Sequence, residues 1–109
     1  MSKAVFVQKG DILDFTNSGT TDIEYMEVVV VGARIGVAQE PIAKDATGSV
    51  SVSGVYQIPA DSTTAFAVGD ELFWDKTNGK AIKTAGGISA GWAFADKTVA
   101  GIDILVKIN

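Results

Sequence analysis

Gly69–Lys83 reads GDELFWDKTNGKAIK, and the punctuation of this stretch decides the fold class. Gly69-Asp70 opens a short strand in which Leu72 and Trp74 share one face. Asn78-Gly79 then turns the chain, because both residue types tolerate the positive φ that a type I′ hairpin turn demands. The return strand runs from Lys80 to Lys83, with the two lysines in water on either side of Ala81 and Ile82. The stretch predicts a β-hairpin and carries no catalytic chemistry.

Working outward, the same grammar recurs. Ala4–Gln8 is a short apolar run, either a strand buried on both faces or an arm that packs on a neighbouring subunit. Ile12–Thr16 alternates, with Leu13 and Phe15 on one face and Asp14 on the other, as a half-buried strand does. Met26–Val31 holds four consecutive valines, β-branched and hostile to a helix, and predicts a central or interface strand. Ala33–Gln39 follows as a strand with Ile35 and Val37 together, and Pro41 marks a connection because it cannot donate to a ladder.

Ser49–Ile58 predicts one long strand, with Val50, Val52, Tyr56 and Ile58 on its apolar face. Gly54 falls on that same face, where a bulge or a close backbone would explain the missing side chain. Pro59–Val68 is ambiguous, with room for one helical turn. Ile88–Ala95 puts Ile88, Ala90, Trp92 and Phe94 on one face. The last strand alternates Ile102, Ile104, Val106 and Ile108 with Asp103, Leu105 and Lys107. No segment sustains a 3.6-residue apolar period. Roughly eight short strands between glycine-rich turns, with little or no helix, predict an all-β fold, a small barrel or sandwich.

The two halves also show an internal pseudo-repeat. Gly10-Asp11 opens a strand, and Ile35-Gly36-Val37-Ala38 and Gly48 follow in order. Gly69-Asp70 opens another, followed by Ala90-Gly91-Trp92-Ala93 and Gly101. The order predicts two similar β units closing on one core.

Composition narrows the function. At 109 residues the chain makes a single domain, 1–109, that buries somewhat more than about 60% of its unfolded surface. Residues 1–8 stand apart as a possible N-terminal arm. With 47% hydrophobic and 20% charged residues it is globular rather than disordered. A net charge of −4 with Arg34 as the sole arginine argues against a nucleic-acid partner, which needs clustered cations.

The absence of Cys removes disulfides, thiolate nucleophiles and thiolate metal sites. The absence of His removes the commonest general base and metal ligand. The start, MSKAVFVQKGD, is too short in apolar length for a signal peptide, and no window approaches the ~20 apolar residues of a membrane span. These features predict a protein made and kept in the cytoplasm, or in something assembled there, with no membrane partner.

Motifs for chemistry are missing as well. Gly79-Lys80 is followed by Ala81, and Trp74 stands where a P-loop needs its first glycine. Ile88 occupies the second required glycine of a dinucleotide fingerprint in Gly86–Gly91. Asp75–Lys80 is faintly like a calcium loop, but Trp74 and Ala85 hold the places of two acidic ligands. Asp70-Glu71 and the pair Asp11 and Asp14 lack a base or nucleophile beside them and read as solvated turn residues. No G-x-S-x-G elbow presents a serine. No catalytic, cofactor or metal residues are expected, and the protein is expected not to be an enzyme.

Apolar residues nevertheless fall on faces that alternation assigns to water, at Phe73, Leu105 and both sides of Val28–Val31. They predict either a second core layer or a subunit or partner interface. A generic ligand-binding β domain, with a pocket of Trp74, Trp92 and Phe94, is a further reading.

The succession of a Gly-Asp strand opening, VVVVG, IGVA, ATGSVSVSGVYQIP at Ala46–Pro59, GDELFWDKTNGKA and a final alternating strand resembles tailed-phage capsid decoration, or cement, proteins. Some members of that family, a domain of unknown function, carry a label as RecA-like phage recombinases. The label implies an ATP site, for which this sequence has no P-loop. The resemblance covers nearly the whole chain and implies a virion protein on the capsid surface, often a homotrimer, that clamps major capsid protein subunits against internal pressure. Another virion part, such as a head-fibre base or tail component, is the alternative. The resemblance also implies that an N-terminal segment grips the shell, which makes Lys3, Ala4, Val5, Phe6 and Val7 the expected capsid contacts.

Overall fold

The computed structural model describes residues 2–108. Its strands are β1 (Ile12–Thr16), β2 (Val28–Val31), β3 (Arg34–Ala38), β4 (Thr47–Ser51), β5 (Val55–Pro59), β6 (Glu71–Asp75), β7 (Lys80–Ile82), β8 (Ser89–Ala93) and β9 (Asp103–Lys107). They join in one curled sheet, and no helix occurs among the described residues. The all-β expectation is met, with nine strands.

The pseudo-repeat is real, and its register differs in part from the one the glycines suggest. In the first half β1 pairs β4, β4 pairs β3 and β3 pairs β2. In the second, β5 pairs β9, β9 pairs β8 and β8 pairs β6, which is the same order. The halves touch where β3 runs parallel to β8 at Arg34 and Ser89. The bridge between Ile23 and Ile42 has its counterpart in that between Phe66 and Lys97. The Met26 N–H donates to the Ala38 carbonyl at 2.8 Å, and the Gly69 N–H donates to the Ala93 carbonyl at 2.8 Å.

These pairs make Met26-Glu27, and not Gly10-Asp11, the equivalent of Gly69-Asp70. Met26 and Gly69 both have positive φ, 67° and 91°. A side chain therefore hid the correspondence. Ile35–Ala38 and Ala90–Ala93 correspond as expected. Gly36 and Gly91 face the same neighbour strand in each half. A Cβ on Gly36 would lie 3.0 Å from the Ser51 carbonyl oxygen and one on Gly91 2.0 Å from that of Lys107.

Three local expectations are corrected. Ser49–Ile58 is two strands, β4 and β5, split at Gly54, whose φ of 104° turns the chain out of one half and into the other. Alternation persists across the break, so periodicity could not reveal it. In the pairing of β6 with β8 the register shifts between Leu72 and Phe73, with Leu72 opposite Gly91 and Phe73 opposite Ser89, so that Ala90 is the extra residue of β8. This bulge, with Gly91 at φ 100°, reverses the faces beyond it. Ala90 and Ala93 enter the core, Trp92 is half-buried and Phe94 is exposed.

The third correction is the hairpin turn. β6 and β7 pair as expected, with Trp74 opposite Ala81 and Asp75 opposite Lys80. The loop is longer than a two-residue type I′ turn, and Gly79 has positive φ while Asn78 does not. The Gly79 N–H donates to the Asp75 carbonyl at 2.7 Å. The Asp75 carboxylate accepts from the Thr77 and Asn78 N–H groups and from Asn78 Nδ2, which holds the chain in the wider turn.

Two apolar clusters fill the curl. Ile23, Val29, Ala38, Ile42 and Val50 form one, under the first half. Ile35, Val37, Ile58, Phe66, Leu72, Ala90, Ile104 and Val106 belong to the other, so β3 feeds both. The repeat sets Lys97 at the place of Ile42. Its stem is buried, and its Nζ donates to the Thr98 and Gly101 carbonyls at 3.0 and 3.1 Å while standing 4.8 Å from the Phe66 ring centroid. A buried ammonium is tolerated because those acceptors and the ring face replace water.

Candidate functional site

Residues 2–10 run without regular structure ahead of β1, and all of them are exposed. Val5, Phe6 and Val7 are 84%, 84% and 83% exposed. The expected contact residues Lys3–Val7 therefore form one continuous exposed segment, a lysine followed by the apolar run Ala4–Val7, and Lys9 follows. Strands of the described chain leave it unpaired. Of the two sequence readings of Ala4–Gln8, the doubly buried strand is ruled out for the single chain.

Val28–Val31 is an outer strand. It pairs β3 on one edge, while its other edge lines a groove of about 690 Å³. Phe15 and Asn17 at the end of β1, Ile23, and Pro59, Trp74 and Lys76 from the second half are among its walls. The expectation of a central strand fails, and the apolar side chains have separate destinations. Val29 is in the first cluster and Val28 packs on the second. Asn17 is buried, its Nδ2 donating to the Thr21 and Ile42 carbonyls at 2.8 and 3.0 Å and its Oδ1 accepting from the Gly19 N–H at 3.1 Å.

A second apolar surface lies on the outer side of β8 and β9. Phe94 and Leu105 are exposed, and the Trp92 and Phe94 rings stand 5.6 Å apart. The bulge at Gly91 separates Trp92 and Phe94 from the face of Ile88 and Ala90 with which alternation grouped them, whereas Leu105 lies on the side that alternation assigned to water. A ligand pocket of Trp74, Trp92 and Phe94 does not form, since the groove takes Trp74 and neither of the others.

The acidic residues do turn chemistry. The Asp61 carboxylate accepts from the Thr63 hydroxyl at 2.7 Å and from the Thr63 N–H at 2.9 Å, and these bonds hold its pKa below the usual value. Asp70 is lowered by the Ala67 N–H and then by Lys83, whose Nζ is 3.1 Å away. Asp75 is lowered by the Asn78 side chain and then its N–H. A depressed carboxylate that is hydrogen-bonded in a turn is a poor general base. Among the described residues no group of three acidic, His or Cys side chains is placed to hold a metal ion.

What the arrangement offers is contact surface: an exposed apolar arm, an open strand edge beside a groove, and an aromatic patch. Searches of curated proteins and of solved structures returned no match. A family model described as phage cement protein matches residues 7–108, a family of virion proteins with a structural role in the capsid, not an enzymatic one. On that match, which spans both halves of the sheet and all nine strands, the chain belongs to the phage cement protein family.

Proposed function

We propose that this cement protein decorates the outside of the capsid, binding the major capsid protein at many equivalent positions and holding neighbouring subunits together. The exposed apolar arm carries this reading, because a segment so exposed in the single chain is a contact waiting for a partner. Repetition over a symmetric lattice lets individually weak contacts stabilise the shell. The copies act as a homo-oligomer, with a trimer the arrangement the family resemblance suggests, and Lys3–Val7 is the segment on which attachment depends. Production in the bacterial host cytoplasm belongs to the same reading.

Quantitative mass spectrometry of purified virions tests it. The expected copy number relative to the major capsid protein is one, or a simple fraction of it. A handful of copies per particle would move the protein to a tail or fibre base and overturn decoration. Deleting residues 1–8 is expected to abolish binding to undecorated shells while leaving the far-UV spectrum of the body unchanged.

A further inference from the structure

The two halves differ by one strand. In the second half β7 pairs β6 and also bridges β5 in parallel at Ala60 and Ala81, with the Asp61 N–H donating to the Ala81 carbonyl at 2.9 Å. That strand closes the circuit β5-β9-β8-β6-β7, and its Ala81 is fully buried in the core. The first half has β1, β4, β3 and β2 in equivalent order, and no strand of the described chain joins β2 to β1. The groove lies in that gap, between the open edge of Val28–Val30 and the β1 end at Phe15 and Asn17. Asn17 is the counterpart of Ala60 in this scheme, since the Asn17 N–H donates to the Ala46 carbonyl as the Ala60 N–H does to that of Ile102.

We infer that the missing strand is supplied by the N-terminal arm of a second copy, Lys3–Val7, which enters this groove antiparallel to β2. The closing strand reads Lys80-Ala81-Ile82 and the arm reads Lys3-Ala4-Val5, the same pattern with one methylene removed. The register of β6 on β7, carried to the first half, sets Ala4 opposite Val31 and Val5 opposite Val30. Ala4 takes the inward place that Ala81 holds, and Phe6 follows on the same face, towards the groove beside Val29. The arm has Lys3 and Lys9 and no acid; Glu27 and Lys76 both line the groove, so charge favours the arm only on the β2 wall, where Asp22 and Glu24 precede Glu27.

The chain's own arm is the wrong donor for reasons of topology. A strand in the place of β7 must run parallel to β1, as β7 does to β5. Between the arm and β1 lie only the four residues Gln8–Asp11, and a connection between neighbouring parallel strands needs about a dozen. The donor is therefore another molecule. This inference rests on the arm being an intermolecular contact, and it makes the neighbouring copy the acceptor. Loss of shell binding on arm deletion then follows from loss of multivalency.

The chain has no Cys, so a clean trap is available. Ala4→Cys and Val31→Cys are placed in separate, differently tagged chains and co-expressed, and the purified protein is oxidised without any capsid present. The expected result is a covalent heterodimer at least tenfold above a control pairing Ala4→Cys with Val99→Cys, a site exposed elsewhere. Phe6→Asp in the donor chain is expected to abolish the product and to reduce the native mass, read by light scattering, to that of one chain. A product no greater than the control, or a native mass unchanged by Phe6→Asp, would overturn the exchange. Shell binding is measured on the same unmodified protein. Binding without cross-linking leaves decoration standing and removes only the exchange, whereas cross-linking without binding does the reverse.

Discussion

Gly91 and Gly79 both sit at positive φ, 100° and 66°, yet they bear unequal loads. A Cβ on Gly79 meets nothing within 4 Å, so Gly79→Ala costs only the left-handed backbone penalty, about 1 kcal/mol. A Cβ on Gly91 would collide with the Lys107 carbonyl, which β9 cannot withdraw without breaking its pairing to β8. Gly91→Ala is expected to cost about 2–4 kcal/mol, measured by urea denaturation of both variants. Equal costs would remove the close strand approach from the account. Lys97 makes a second case. Its repeat counterpart is Ile42, but Lys97→Ile leaves the Gly101 carbonyl without its ammonium donor. A loss of about 1–3 kcal/mol is expected from the same measurement, and a gain would mean that the ammonium is a burden on the fold. The positive φ of Gly79 is legible in its Asn-Gly turn, but neither the close approach at Gly91 nor the burial of Lys97 is, because each depends on a residue distant in sequence.

At the scale of elements, the β6–β7 hairpin was readable from its Asn-Gly and its alternation, while its turn length was not. The Asp75 carboxylate, bonding Thr77 and Asn78, overrides the two-residue preference. Asp61 and Asp70 do similar work in their own turns, and all three have pKa values lowered from 3.8. A lowered folded pKa means that the folded state holds its proton less tightly than the unfolded chain. The stability from these bonds is thus fully present above the ordinary carboxylate value and is lost as pH falls through the lower folded values. The melting temperature is expected to fall on acidification below about pH 4. The triple variant D61N/D70N/D75N should melt lower at neutral pH and show a shallower acid slope. An unchanged slope in scanning calorimetry would assign acid sensitivity to other carboxylates.

At the scale of the whole molecule, the repeat explains why one end of the curled sheet is closed and the other open. β7 is the added strand, and Ala81 is its plug. Shaving that plug to Ala81→Gly should open the second half and cost about 1 kcal/mol from backbone freedom alone, more from lost packing. Ala4→Gly, at an exposed position, should leave the stability of the separated single chain unchanged. Thermal melts at low protein concentration check both. Equal losses would mean that the arm already packs on its own body.

The sequence by itself determined the strand content, the pairing of the hairpin and the lack of catalytic motifs. It pointed to the kinship of the two halves without its register, and to the apolar run at the N-terminus without its exposure. All of these rest on local periodicity, turn residues and composition, which act over a few neighbouring positions. Only the tertiary structure decided that Ser49–Ile58 is two strands, that Trp92 and Phe94 face outward, and that the four valines form an outer edge. Each of those depends on which strand lies beside which. Pairing joins residues far apart in the chain, and a single bulge or one residue at positive φ reverses every face beyond it without disturbing the alternation from which faces are read.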